Sequence, residues 1–213
     1  MTTRFVLLQF RDEIYDWRLL TLSLLQKNTV LDRCVFTFSP DCVLVPNDYL
    51  SSSLYLKMKA SYPKIKSALL KHASPLITYR ELAARVKRYP SLWIAFEAYF
   101  SFETVNYIYI TEKLMMAIEA GLPFIVFGQH GTLDELKRRG YRSFSTHIDE
   151  SYDLIKDPLD RINAAVHEIL KLHRMRDDEW SRWIQSVQPI CEHNRKHMQM
   201  LKESYLEALF DTH

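Results

Sequence analysis

The sequence predicts an α/β fold: a parallel sheet flanked by helices, with one long helix at the C-terminus. Three observations carry that expectation. Short runs rich in β-forming residues alternate with stretches of helical periodicity. The strand candidates, residues 5–10, 34–38, 91–97 and 123–128, are nearly continuous in apolar character, as strands covered on both faces are. Helix start and stop residues punctuate the chain between them.

Taken in order, FVLLQF (5–10) is the first strand and RDEIYD a polar break after it. In WRLLTLSLLQK, Trp17, Leu20, Leu24 and Leu25 recur at helical spacing. CVFTF (34–38) is a second strand ending at Ser39-Pro40, and 41–53, crowded with polar breakers, is expected to be a loop. Residues 54–72 and 79–88 have basic, helical patterns, the first interrupted by Pro63. SLWIAFE is a third strand. Thr111 can cap a helix over 112–120 that Gly121 ends, with Pro123 just beyond. PFIVFG is a buried strand, and Thr132 and Glu135 have capping-box spacing for a helix ending at Gly140. Phe144 marks a short final strand, Asp157-Pro158 opens a helix, and 177–210 is one amphipathic helix bent at Pro189.

Composition bounds the rest. The 213 residues, 47% hydrophobic, fit one domain over 1–213 whose core needs neither disulfide nor metal. A net charge of +2 excludes a bulk polycation, so nucleic-acid contact would require a local patch. The three cysteines, Cys34, Cys42 and Cys191, are scattered and read as reduced thiols. The first apolar run is too short for a signal peptide, and no stretch approaches the ~20 apolar residues of a membrane span. The expectation is a cytoplasmic protein without membrane contact.

In an open α/β sheet, ligands bind beyond the carboxyl ends of strands, where helices begin. Two helix starts follow strands here, Thr111-Glu112-Lys113 and Gly128-Gln129-His130-Gly131-Thr132. A helix N-terminus offers unpaired N–H groups and about half a positive charge, which suits a phosphate. Lys113 is poorly placed for helix stability unless an anion sits beside it, and Glu112 can accept from a ribose diol. The residues alone favour the plainer account, in which Glu112 serves the helix dipole and Lys113 is a solvated cation.

The stretch from Ser91 to Gly128 resembles the signature region of α-1,3-fucosyltransferases. The matching residues are Ala95-Phe96-Glu97, Tyr109-Ile110-Thr111-Glu112-Lys113-Leu114, Ala120-Gly121-Leu122-Pro123 and Gly128. The wider chain also resembles glycosyltransferases encoded in bacteriophage genomes, through Arg18-Leu19-Leu20, Gly131-Thr132-Leu133, 149–153 and His193-Asn194. The strongest region is 92–161. This resemblance implies a Rossmann-like, GT-B C-terminal-half-like domain that binds a nucleotide-diphosphate sugar. It implies that Lys113 contacts the donor diphosphate, Glu112 the ribose, and Glu97 the sugar or base. Thr111 and Gly128 complete the set, and Arg18 matches a phosphate-binding position. The bidentate guanidinium of Arg18 suits that task; its alternative is to pack over Trp17. The Asn that follows the family's Glu is Ala98 here.

No DxD motif is present, so the expectation is a metal-independent site with no cofactor, the nucleotide sugar being the donor substrate. The general base is unassigned; Asp12 and Glu13 follow the first strand and are otherwise solvated carboxylates. The acceptor is a glycan or modified DNA, and the host cytoplasm the location if the protein is viral. The alternative is a non-catalytic nucleotide or nucleic-acid binding module, or a donor half completed by a partner chain or homodimer. Cys191, His193 and His197 share one helix but lack a fourth metal ligand. The basic clusters at 64–71, 85–88 and Arg138-Arg139 read as solvated faces or as a nucleic-acid track. The stripe Trp180, Trp183, Ile184, Val187, Met198, Leu201 and Tyr205 is expected to pack on the domain.

Overall fold

The computed structural model describes residues 3–7, 13–46, 51–73, 91–100 and 107–210. A four-stranded sheet holds β1 (Phe5–Leu7), β3 (Cys34–Val35), β5 (Leu92–Phe96) and β6 (Phe124–Phe127) in the order β3-β1-β5-β6. Every pairing is parallel, with Val6 opposite Trp93 and Ile94 opposite Ile125. Every residue of β1, β5 and β6 is buried, which is why their sequences are continuously apolar rather than alternating. The predicted α/β class with a parallel, Rossmann-like sheet is therefore the observed one. Expected strand residues 8–10, Asp12, and the helix expected at 79–88 with its basic cluster lie outside the described residues.

The helices are α1 (Asp16–Lys27), α2 (Ser52–His72), α3 (Glu112–Ala120), α4 (Thr132–Arg138), α5 (Pro158–His173) and α6 (Asp177–Phe210). α1 packs with α2 and α5, and α3 with α6 and β5. Thr111 caps α3 through its hydroxyl, Gly121 ends α3 at a left-handed φ of 70°, and Asp157 with Pro158 opens α5, each as its local residues dictate. α6 runs unbroken through Pro189, and α2 runs through Pro63 instead of being interrupted by it. Pro63 faces solvent, where water can take up the carbonyl it leaves unpaired. Among the described residues, no helix is long and apolar enough to cross a membrane.

Three local expectations are corrected. β2 (Glu13–Tyr15) and β4 (Val43–Val45) pair in a separate two-stranded parallel sheet where a polar break and a loop were expected. Phe144 is not in a strand. Its N–H donates to Glu150 Oε1 at 2.7 Å, and its carbonyl accepts from His147 and Ile148, so the backbone turns as a helix does. Thr132 does not cap α4; the N-cap is Gly131, and the Thr132 hydroxyl donates to the Gln129 carbonyl at 2.6 Å.

α6 is fastened at two points. Arg4, 1% exposed, donates to the Met175 carbonyl at 2.7 Å and pairs with Asp177, tying β1 to the junction of α5 and α6. Asn194 accepts from Arg142 N at 2.7 Å and donates to Arg142 O at 2.8 Å. Beside it, the Nε2 atoms of His193 and His197 lie 3.2 and 2.7 Å from the carbonyls of Gly140 and Arg139. These two histidines thus serve the end of α4, and Cys191 is buried. Gly140 has φ 89°, and a Cβ there would lie 2.6 Å from the His197 ring. Gly140→Ala is expected to cost about 2 kcal/mol, part from left-handed strain and part from that clash. Urea unfolding of Gly140→Ala, His197→Ala and the double variant checks this: the double variant should be more stable than the two single losses sum to.

Candidate functional site

In the four-stranded sheet, the chain leaves β1 for β3 on one side and leaves β5 for β6 on the other, so the strand order reverses between β1 and β5. Ligands bind such folds outside the carboxyl ends of the strands at that reversal. The residue immediately beyond β5 is Glu97, and beyond β6 it is Gly128.

Glu97 is 0% exposed. Its Oε2 accepts from Thr111 N at 2.9 Å, so a carboxylate at the end of β5 holds the start of α3. Its Oε1 is buried with no hydrogen-bond partner among the described residues. Burial raises its pKa; the Thr111 hydrogen bonds and the charge of Lys113 oppose that rise without cancelling it. Gly128 lies against it: a Cβ there would stand 3.0 Å from Thr132 Oγ1 and 3.4 Å from Glu97 Cβ and Cγ, so a glycine lets the two strand ends approach.

Arg18, on α1, donates through Nη2 to the Glu97 carbonyl at 2.7 Å. Its guanidinium lies over the Tyr15 and Trp17 rings at 5.2 and 5.1 Å, and its Nε is buried without a partner among the described residues. The two alternatives for Arg18 therefore coincide: it packs over Trp17 and it reaches the predicted site. Burial lowers its pKa to about 10, against the favourable charges of Tyr15, Glu97 and Glu112, and it stays cationic at neutral pH.

Thr111, 7% exposed, accepts from Lys113 N through Oγ1 at 3.3 Å, while Lys113 Nζ and Glu112 Oε1 form an ion pair at 2.7 Å. Burial raises the Glu112 carboxyl, but Lys113, its own backbone N–H and Arg18 together outweigh that and hold it below its usual range. All six sequence-predicted residues, Arg18, Glu97, Thr111, Glu112, Lys113 and Gly128, thus gather at the ends of β5 and β6. Glu97 and Gly128 form the floor, and Glu112 and Lys113 the more exposed rim.

Three residues that sequence reasoning did not single out for this site organise it. Gln129, 1% exposed, accepts from Tyr109 N at 2.7 Å and donates to Tyr107 O at 3.0 Å, clipping the extended segment that leads into α3. Arg161 is 2% exposed and donates to the carbonyls of Gly128, Ile155, Lys156 and Phe100. Its guanidinium sits 4.3 Å from the Phe100 ring centroid, and Phe100 stacks on Trp17 at 4.4 Å. A basic residue beside the apolar stripe Ile162, Ala165, Val166, Ile169 was the available signal. Asp153, within the run 149–153, reaches back to the preceding helix. Its Oδ2 accepts from Leu133 N at 2.9 Å, and its carbonyl accepts from Gly131 N.

Asp153 therefore occupies the second helix start considered as a phosphate site, and α4, of seven residues, is capped by the chain itself. A cleft of about 270 Å³ lies on the other side of that cap, lined by Lys137, Asp149, Glu150 and Asp153 among others; none of the six predicted residues lines it. Glu13 is exposed on β2.

Two predictions follow from the buried charges. Arg161→Lys leaves carbonyls that a single ammonium cannot reach together, and should lower stability by about 3 kcal/mol in chemical unfolding. Burial lifts the Asp153 pKa from 3.8 to about 6, so the folded chain takes up a proton more readily than the unfolded one. The stability this contributes is complete below pH 4 and lost as pH rises through 6, by about 3 kcal/mol. Asp153→Asn should flatten the unfolding free energy over that window, whereas parallel pH profiles for the two proteins would refute the assignment.

Compared with known proteins, the chain matches no family model and no curated protein.

Proposed function

We propose that the edge formed by the ends of β5 and β6 binds a nucleotide-diphosphate sugar and that the chain is a glycosyltransferase. The observation that carries this reading is the convergence of two cations, Arg18 and Lys113, and the N-terminus of α3 beside the end of β5, one of the two strands between which the strand order reverses. Departure of a nucleoside diphosphate builds negative charge on its terminal phosphate. Cations and helix N–H groups held in place beforehand lower the barrier for that step. Lys113 exchanges Glu112 for phosphate oxygens when the donor enters, and Glu112 turns to the ribose diol. Arg18, braced by two rings and the Glu97 carbonyl, needs no reordering to meet a phosphate. Glu97 acts through Thr111, fixing the helix start that presents Lys113. The protein's own cations perform the charge neutralisation, and the acceptor is a glycan or modified DNA.

A second reading, a non-catalytic nucleotide-binding module or a donor half completed by another chain, is favoured by two observations. Glu112 and Lys113 neutralise each other, and Glu13 stands exposed in β2 with no partner among the described residues that would make it a base. Calorimetric titration with GDP, UDP, ADP and CMP at low salt tests the binding common to both. One nucleotide should bind at micromolar affinity, and Lys113→Ala should weaken it about 10- to 100-fold, the value of one charge-assisted hydrogen bond. Unchanged affinity in Lys113→Ala would remove the assignment. Donor hydrolysis or transfer by the purified chain decides between enzyme and binding module.

A further inference from the structure

α2 carries five lysines, at 57, 59, 64, 66 and 71, and no carboxylate. The whole chain nets only +2, so the charge on this one helix exceeds that of the entire molecule and the remainder is net acidic. Three of the lysines share one line. Lys57, Lys64 and Lys71 recur at seven-residue spacing, with Ala60 and Ser67 in the same row, and all five residues are exposed. At 1.5 Å per residue the row spans about 21 Å. Met58 and Leu69 hold the opposite face of the helix in the core, and Tyr62 and Lys66 both donate to the Cys42 carbonyl, so the row is held rigidly outward.

Among the described residues the row is also unneutralised. Among the described residues, Lys57, Lys64 and Lys71 enter no ion pair, whereas Lys137, Lys171 and Lys202, similarly exposed, each pair with a carboxylate. Three uncompensated ammonium groups in a straight line, separated by small side chains, form a surface for a regular, dense row of anions. We infer that α2 docks the phosphate backbone of duplex DNA through Lys57, Lys64 and Lys71, without reading its sequence. Duplex DNA presents one phosphate charge about every 1.7 Å of axis, which a rigid 21 Å row of point charges follows along its length. The row has no arginine, asparagine or glutamine to read base edges and no aromatic on which an unpaired base could stack, which argues against sequence-specific and single-strand modes. Met58 and Leu69 of α2 are spent on the core, and the exposed Leu56 and Leu70 are too few to form the continuous apolar face that insertion into a lipid surface needs. This docking surface is separate from the nucleotide edge, although α2 packs on α1, the helix that carries Arg18.

The test is fluorescence anisotropy with a labelled 20-base-pair duplex of random sequence at 50–200 mM salt. The protein is compared with the triple variant Lys57→Gln, Lys64→Gln, Lys71→Gln and with a charge-matched control, Lys137→Gln, Lys171→Gln, Lys202→Gln. Three phosphate contacts make the affinity fall about 40-fold across that salt range, and the triple variant should lose this component, its log–log salt slope falling by about 2.7. The control should bind as the unaltered chain does. Circular dichroism of both variants should match that chain, since every altered side chain lies at the surface. Equal weakening by both variants, an unchanged slope in the triple variant, absence of duplex binding, or binding to phosphatidylserine vesicles in preference to duplex would each overturn the inference. None of these outcomes bears on nucleotide titration, which reads the edge at Lys113.

Discussion

Where a strand leaves a sheet, its carbonyls lose their ladder partners, and in this protein those carbonyls are buried. Two arginines meet that demand. Arg18 donates to the carbonyl of Glu97, and Arg161 to those of Phe100 and Gly128, so the chain leaving β5 and the chain leaving β6 are both held by guanidinium groups. The two cations are the ends of one stack, Arg18 over Trp17, Trp17 on Phe100, Phe100 under Arg161. An interior of this kind tolerates two buried charges because each has carbonyl acceptors and an aromatic face to replace its water. The helix that presents Glu112 and Lys113 inherits its position from this arrangement.

The carboxylates obey the same logic with the sign reversed. Glu97 accepts from Thr111, the N-cap of α3, and Asp153 from Leu133 in the first turn of α4, so the helices that follow β5 and β6 are each started by an acid from outside their own first turn. The two are not equivalent for a ligand. Asp153 closes a seven-residue helix, leaving no vacancy for another anion, while Glu97 keeps one oxygen without a partner among the described residues and lies beside Arg18. That asymmetry is why the proposed ligand is assigned to the β5–α3 edge and not to the β6–α4 edge.

The sequence was informative where interactions are local. The Thr111 cap, the Gly121 stop and the Asp157-Pro158 start are set by residues within four positions of one another, and their residue types announce them. The gathering of Glu97, Thr111, Glu112, Lys113 and Gly128 was legible from one ordered segment, because strands and helices alternate there without interruption. What escaped was non-local. β2 finds β4 some 30 residues away; Asp153 caps a helix from 20 residues downstream; Gln129 clips residues 20 and 22 positions upstream. A three-residue strand has too little pattern of its own to declare itself before its partner is known. Phe144 misled for a related reason, since a buried aromatic looks the same in a strand and in a turn that packs its ring edge-on against Phe124.

That turn leaves β6 as the outer strand of the sheet, and its free side is closed by side chains. Val126 N donates to the Tyr152 hydroxyl at 3.4 Å, and Phe144 covers Phe124. A fully apolar strand with open amides is the kind of template on which chains join edge to edge and aggregate. Here a phenol occupies the position that an intruding backbone would need, and it is buried among the elements that hold it. The same loop that ends the sheet therefore covers the outward edge of a wholly apolar strand.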